Sequence, residues 1–166
     1  MKIIVDAMGG DLAPLAPVKG ALMAHEKYGA DIILAGRTEE ILRALQQCGC
    51  KDLPAGVEIV NAEEVVEICD DPATAFKRKK DSSLTVGLTM LRDGRADGFV
   101  CAGSPGALLA GATLVVKRIR GLRRAALAPV IPTAKGRAVL IDCGANAECT
   151  GEYLLHFAYL GSYCAQ

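Results

Sequence analysis

A chain of 166 residues with 19 basic and 19 acidic side chains carries no net formal charge, so it sets up no long-range field that would draw in nucleic acid. Its length fits one ordinary domain with a substantial core. A composition that is 51% hydrophobic but only 4% aromatic, with 18 glycines and no tryptophan, suits stacked strand–helix units better than a sandwich or a disulfide-stapled module.

The opening stretch "KIIVDAMGGDLAP" reaches an acid after three apolar residues, too soon for the apolar core of a signal peptide. No later run approaches membrane-span length, so a cytoplasmic protein is expected. The first strand is followed by adjacent glycines, Gly9 and Gly10. Such a pair implies either a tight strand-to-helix turn or a close approach of the backbone to something else. Leu15, Val18 and Leu22 then fall at helical spacing, with Gly29 near the helix end. After "ADIILAG", Thr38 is a candidate cap for a second helix, Glu39 and Glu40 suit its positive end, and Ile41, Leu42 and Leu45 give it an apolar face that Gly49 closes. "VEIVNA" is a further strand.

Leu84, Leu88 and Leu91 mark another amphipathic helix, with Ser82 or Ser83 as its cap and Gly94 beyond its end. "DGFVCAG" is a strand. "GALLAGATLVV" from Gly106 is apolar on every side, which predicts a helix at the centre of the core or under a partner. "ALAPVIPT" contains Pro129 and Pro132 and reads as an edge or irregular strand; "TAKG" turns it back into "RAVLIDCG", one antiparallel excursion in an otherwise parallel sheet. The final "EYLLHFAYLGSYCAQ" is a helix expected to face inward through Leu154, Leu155, Ala158 and Tyr159. The rhythm predicts a single α/β domain over residues 1–166 with a mostly parallel sheet.

Three glycine-containing loops follow strands: "DAMGGD" from Asp6, "CAGSPGA" from Cys101 and "DCGAN" from Asp142. Parallel strands would bring all three to the one sheet edge where open α/β folds bind ligands. Backbone N–H groups in such loops favour phosphate or a developing oxyanion. Ser104 serves equally as a helix cap, with Pro105 at the first helical position. The four bases Lys77 to Lys80 in "FKRKKDSSL" either form a solvated face, neutralise a phosphate or meet an acidic partner, and Ser82 and Ser83 can donate to an anion.

Several chemistries have no support. Gly106 and Gly111 have the gap of a Walker loop, but Ala112 stands where its lysine should be, and no GxGxxG follows a strand. The seven cysteines, at 48, 50, 69, 101, 143, 149 and 164, lack paired CxxC spacing, which speaks against a disulfide framework or a structural zinc site. His25 and His156 read as packing or surface residues. Cys101 and Cys143 sit at strand ends, where a covalent thiol mechanism is conceivable, although use as small buried hydrophobes is commoner.

In order and spacing, "VDAMGGD", "FKRKKDSSL", "ADGFVCAGSPGALLAGA" and "VLIDCGANAEC" closely resemble the bacterial phosphate acyltransferases of fatty acid and phospholipid synthesis. The resemblance runs through all 166 residues and covers the front half of a typical member. It implies a three-layer α/β/α fold like those of phosphotransacetylases and isocitrate- or isopropylmalate-type dehydrogenases. It also implies a reaction without a cofactor or metal, in which inorganic phosphate attacks the thioester of a long-chain acyl carrier protein to give acyl phosphate. The family works as a homodimer associated peripherally with the membrane, and no nucleic acid partner is implied.

Direct attack by phosphate needs a held anion and a polarised carbonyl rather than an enzyme nucleophile. The resemblance makes Lys80, Asn146 and Asp142 the catalytic candidates. Phosphate or the acyl group falls to Asp6, Gly9, Gly10, Asp11, Ser82, Ser83, Gly103, Ser104, Gly106 and Gly144. Lys77, Arg78 and Lys79 are candidates for meeting acidic carrier protein. The chain departs from the family where Ser104-Pro105-Gly106 replaces Asn-Thr-Gly and Ala147-Glu148 replaces Val-Asp. Alternatives are a short-chain phosphate acyltransferase using acyl-coenzyme A, and a non-catalytic anion- or partner-binding domain. An exposed sheet edge and apolar face would favour self-association.

Overall fold

The first apolar run forms β1, Lys2–Asp6, and the next three strands join it in parallel: β2, Asp31–Gly36, β3, Val57–Asn61, and β4, Gly98–Val100. Their order is β3-β2-β1-β4, with Val5 opposite both Leu34 and Val100. This is a computed structural model describing residues 1–72 and 74–165. The chain divides into two units, Met1–Val116 and Lys117–Gln166.

Side chains alternate across a strand, and here both faces are apolar, as expected of a parallel sheet covered by helices on each side. Val5, Ile32, Leu34 and Val57 pack with Val18 and Ala21 of α1 (Leu15–Tyr28) and Ile41, Ala44 and Leu45 of α2 (Thr38–Gln47). On the other face Ile4, Ile33 and Ala35 pack with Met90 of α4 (Ser83–Arg92), flanked by Phe99. The first unit is thus a three-layer α/β/α arrangement, as the strand–helix rhythm and the family resemblance imply.

Helix ends largely follow their signals. Gly29 closes α1 in the left-handed conformation at φ 64°, its N–H donating to the His25 carbonyl. Ser82 caps α4, its Oγ accepting from the Thr85 N–H. Thr38 differs from expectation: it is the first residue of α2 rather than its cap. The capping acceptor comes from another element, since Asn61 Oδ1 at the end of β3 receives both the Thr38 N–H at 3.1 Å and its hydroxyl at 2.8 Å.

A short helix α3 (Ala75–Arg78) precedes α4, and α5 (Pro105–Gly111) continues into a π-helical turn at Ala112–Val116. Burial of this helix within the fold is not found: in α5 only Ala107 and Gly111 are buried, and Leu114 beyond it is exposed. Small residues set this contact. A Cβ on Gly111 would lie 2.6 Å from Leu88 Cδ1, so α5 approaches α4 through its narrowest side and leaves its leucines half-covered.

The second unit contains a two-stranded antiparallel sheet, β5 (Val130–Thr133) with β6 (Gly136–Val139), and helix α6 (Gly151–Cys164). Pro132 lies on an edge, as its missing donor requires. The strand from "RAVLIDCG" belongs to this hairpin and not to the parallel sheet, so the common-edge expectation extends only to the first two loops. On α6 the expected inward face is reversed: Phe157 and Gly161 are buried, while Leu154, Leu155, Ala158 and Tyr159 are exposed. The segment is apolar nearly all round, so periodicity could not choose its face. Among the described residues no helix is long and apolar enough to cross a membrane.

Two glycines in helices test this packing in opposite directions. A Cβ on Gly87 of α4 would lie 2.3 Å from Phe99 Cε2 and 3.2 Å from Ile4 Cγ2, whereas one on Gly20 of α1 would meet nothing within 4 Å. Gly87→Ala is expected to destabilise by about 1–3 kcal/mol through overpacking, and Gly20→Ala to stabilise by about 0.5–1 kcal/mol through helix propensity and reduced unfolded-state freedom. Denaturant melts of the two variants beside the parent check both signs.

Candidate functional site

Neighbouring strands β1 and β4 end at adjacent loops, and the loops meet without room for side chains. A Cβ on Gly9 would stand 2.8 Å from Asp6 Oδ2 and 3.0 Å from the Gly103 nitrogen; one on Gly10 would stand 3.2 Å from the Ala102 carbonyl oxygen. Gly10 also has φ 105°, a conformation that favours glycine. The glycine pair therefore serves close approach: "DAMGGD" and "CAGSPGA" form one joined backbone surface at the carboxyl edge of the sheet.

Asp6 ties this junction together from beneath. It is buried, with Oδ1 accepting from the Met8 N–H at 3.1 Å and Oδ2 accepting from the Cys101 thiol at 3.1 Å. Cys101 Sγ in turn accepts from the Gly103 N–H at 3.3 Å. Burial first, and then the Asp6 charge and hydrogen bond, push the Cys101 thiol up to about 12, against a smaller opposing effect of the Gly103 N–H. A thiol whose ionisation is disfavoured is a poor nucleophile, and its hydrogen bonds to Asp6 and from the Gly103 N–H make Cys101 a link between the ends of β1 and β4.

Ser104 is buried and caps α5, its Oγ accepting from the Ala107 N–H at 3.3 Å. Gly106 and Asp11 are exposed beside these loops in sequence. Ser82 and Ser83 are buried. The Ser82 hydroxyl is held by the Lys79 carbonyl, Thr85 Oγ1 and the Thr85 N–H, while the Ser83 N–H donates to the Glu64 carbonyl at 3.3 Å. These serines shape the mouth of α4, with the Ser82 hydroxyl and the Ser83 N–H engaged within the protein.

Within the basic run the lysines separate by environment. Lys79 is half-buried, with Nζ donating to the Val65 carbonyl at 2.8 Å and to the Asp70 carboxylate. That lysine, by its hydrogen bond, is the leading cause holding the Asp70 carboxyl below its ordinary value, aided by the Glu67 N–H. Lys77, Arg78 and Lys80 are exposed. Lys79 thus anchors the segment structurally and leaves its neighbours as the cationic surface.

In the second unit Asp142 gathers a loop. Its Oδ1 accepts from the N–H groups of Leu127 at 2.8 Å and Ala145 at 3.3 Å; its Oδ2 accepts from the Asn146 N–H at 2.8 Å and side-chain amide at 2.9 Å. Burial by itself would raise its pKa, but the hydrogen bonds from the Asn146 side chain and these backbone amides prevail and lower it. Asn146 Nδ2 also donates to the Ala125 carbonyl at 2.9 Å. Gly144, at φ 89°, makes the turn inside this knot. Asp142 and Asn146, read from sequence as separate catalytic candidates, are thus partners that organise one loop.

His25 is a packing residue, its Nδ1 donating to the Ala30 carbonyl at 2.8 Å, which requires the proton on that nitrogen. The Asp6–Cys101 pair was not anticipated. No spacing signal marks residues 95 positions apart; the pairing exists because β4 lies beside β1 with Val100 opposite Val5.

The sequence pattern of the family described as "Fatty acid synthesis protein" matches residues 1–166. A phosphate acyltransferase from Alkaliphilus oremlandii (strain OhILAs) is 47% identical over 167 aligned residues, covering 100% of this chain and 49% of the relative. One from Pelotomaculum thermopropionicum (strain DSM 13744 / JCM 10971 / SI) is 48% identical, with 97% and 46% covered. The chain spans about half the length of the curated relatives it matches. Among solved structures, a phosphotransacetylase from Streptococcus pyogenes aligns with a TM-score of 0.74 at 21% identity, covering 95% of this chain and 51% of that one. The EutD phosphotransacetylase from Staphylococcus aureus aligns with a TM-score of 0.67 at 18% identity, covering 93% and 49%. At these identities the two structures establish likeness of fold.

Gly9→Ala forces its methyl against the Asp6 carboxylate and is expected to cost about 1–3 kcal/mol, read as a lower denaturation midpoint. Iodoacetamide at mildly alkaline pH is expected to label the exposed Cys69, Cys143, Cys149 and Cys164 before Cys101, by a margin of about a hundredfold or more, and Asp6→Asn to narrow that margin by removing a charge that disfavours the thiolate. The fold favours the Cys101 thiol, so the stability it contributes is complete below the ordinary thiol pKa and is lost as pH rises toward about 12. Peptide mass spectrometry of timed labelling would refute this if Cys101 reacted as fast as the exposed cysteines.

Proposed function

The chain belongs to the fatty acid synthesis protein family, and from that premise we propose that it carries the front half of an acyl-transfer site in which inorganic phosphate attacks the thioester of a long-chain acyl carrier protein. The observation that supports this reading most is identity of more than two residues in five, sustained over the whole chain, with relatives named phosphate acyltransferases.

In this reading a phosphate oxygen attacks the thioester carbonyl carbon. A C–O bond forms, the carbonyl oxygen takes up negative charge, and collapse of that intermediate breaks the C–S bond and releases the carrier's thiolate with acyl phosphate. Backbone donors around Gly9, Gly10, Gly103 and Gly106 supply the anion or oxyanion cradle, where preorganised dipoles act most strongly. Asp6 positions the two loops beneath them. Lys80 neutralises the attacking phosphate, while Asp142, Asn146 and Gly144 order a loop of the second unit. Asp11 orients the first loop. Burial and the neighbouring Asp6 charge, which disfavour the Cys101 thiolate, support direct attack by phosphate over an acyl-cysteine intermediate.

Ser82, Ser83 and Ser104 fit this proposal as residues that shape loops, since the hydroxyls of Ser82 and Ser104 cap helices. The exposed Lys77 and Arg78 are the surface for acidic carrier protein. Cytoplasmic location, assembly as a homodimer and peripheral contact with the membrane belong to the same proposal, the membrane contact falling to the half of the relatives that this chain does not span; exposed Leu154, Leu155, Tyr159 and Tyr163 on α6 supply apolar area for self-association.

The folded chain, incubated with long-chain acyl carrier protein with and without inorganic phosphate and with hydroxylamine to trap acyl phosphate, is expected to show phosphate-dependent thioester loss. Lys80→Ala is expected to lower the rate about a hundredfold with Lys80→Arg restoring part of it. Phosphate-independent loss, or no loss from a chain shown to be folded, would sink the transfer reading for this chain and leave an anion-binding module. Acyl-coenzyme A turned over faster than the carrier thioester would replace the proposed donor.

A further inference from the structure

An apolar groove of about 340 Å³ follows the α1 face of the parallel sheet, a volume within the range of roughly 300–1,000 Å³ common to small-molecule sites. Ile3, Val5 and Val100 form its floor, and Gly20, Ala21 and Ala24 of α1 form one wall. These helix residues are small, and Gly20 faces open space, with nothing within 4 Å of its Cβ position. The groove exists because α1 presents this side-chain-poor stripe beside the short edge strand.

Its direction carries the inference. At one end lie Asp6 and Ala102, and at the other Met1 and Tyr28. Asp6 and Ala102 are the residues on which the glycine pair packs, 2.8 Å from the Cβ position of Gly9 and 3.2 Å from that of Gly10. The groove therefore begins behind the joined glycine loops and follows β1 away from them for roughly 16 Å at the usual strand rise. That is the scale of an extended hydrocarbon tail and much more than an acetyl group needs.

Its lining suits such a tail and little else. Asp6 is the single carboxylate, and each of its oxygens already accepts a hydrogen bond. A polar or charged occupant would lose water without finding partners, which is costly, whereas a hydrocarbon loses nothing.

We propose that this groove is the acyl-tail site, with the chain lying along β1 and its carbonyl end at the backbones of Gly9, Gly10 and Gly103. The assignment rests on the acyl-transfer reading for the identity of its ligand, and it adds where the tail goes and which residues limit its length. Gly20 and Ala24, one helical turn apart, are the gauges: a larger side chain at either shortens the groove from the α1 side.

Calorimetric titration of the intact chain with octanoate, decanoate and dodecanoate, each below its micelle concentration, tests this as equilibrium binding, separately from turnover. Affinity is expected to rise about fourfold per added methylene, and Gly20→Leu to weaken dodecanoate binding by about tenfold or more while acting little on octanoate. Ala24→Leu provides a second variant, and circular dichroism verifies that each is folded. Binding indifferent to chain length, or unaltered dodecanoate affinity in both folded variants, would overturn the assignment. So would a shift from dimer to monomer in light scattering with unaltered affinity, because the groove would then be covered by a second copy. Loss of phosphate-dependent turnover with tail binding intact would count against the transfer reading alone; turnover without chain-length-dependent binding would count against the groove alone.

Discussion

The organisation of the first unit depends on the contact of two backbones at the ends of adjacent strands. The β1 and β4 loops come together at Gly9, Gly10 and Gly103, with no space for a Cβ at Gly9 and little at Gly10, and Asp6 joins them from below through Met8 and Cys101. A buried carboxylate is tolerated here because both its oxygens are satisfied. Packing on each side of the sheet, where the apolar faces of α1, α2 and α4 meet it, holds β1 and its neighbours in register.

Carboxylates gather backbone amides repeatedly elsewhere. Asp142 collects Leu127, Ala145 and Asn146. Asp81 accepts from the Glu63 N–H while Glu64 accepts from the Asp81 N–H, so the entry to α4 is clamped to the segment after β3. Asp70 accepts from the Glu67 N–H and pairs with Lys79. These contacts are exposed or partly buried, and their value lies more in fixing loop conformation than in net stability. They also explain how a neutral chain keeps a local cationic surface: Lys79 is consumed in structure, and Lys77, Arg78 and Lys80 are left outward.

In the proposed acyl-transfer reading, joined loops at one end of a sheet and an apolar groove leading away from them serve two parts of one substrate. An anion and a carbonyl oxygen need oriented dipoles; a hydrocarbon tail needs a surface free of them. Asp6 lies at the boundary between the two environments, lining the groove while supporting the glycine loops. The half-covered leucines of α5 and the outward leucines and tyrosines of α6 show that apolar residues beyond this groove remain available for contacts in a chain about half as long as its curated relatives.

Much of this could be read from local pattern. The parallel strands, Gly29 at the end of α1, Ser82 as cap of α4 and Ser104 before Pro105 at the start of α5 each follow from residues within a few positions of one another, where steric preference and hydrogen-bonding geometry act directly. Membership of the fatty acid synthesis protein family was also carried by ordered motifs. Three features were decided only by tertiary structure. Asn61 takes the capping role expected of Thr38, because β3 ends beside the start of α2. The inward face of α6 is the Phe157 and Gly161 side, because an almost uniformly apolar helix has no period to reveal it. Above all, the meaning of Gly9 and Gly10 lay in Asp6, Ala102 and Gly103: sequence shows that a backbone is free to come close to something, but strand order and register determine what it comes close to.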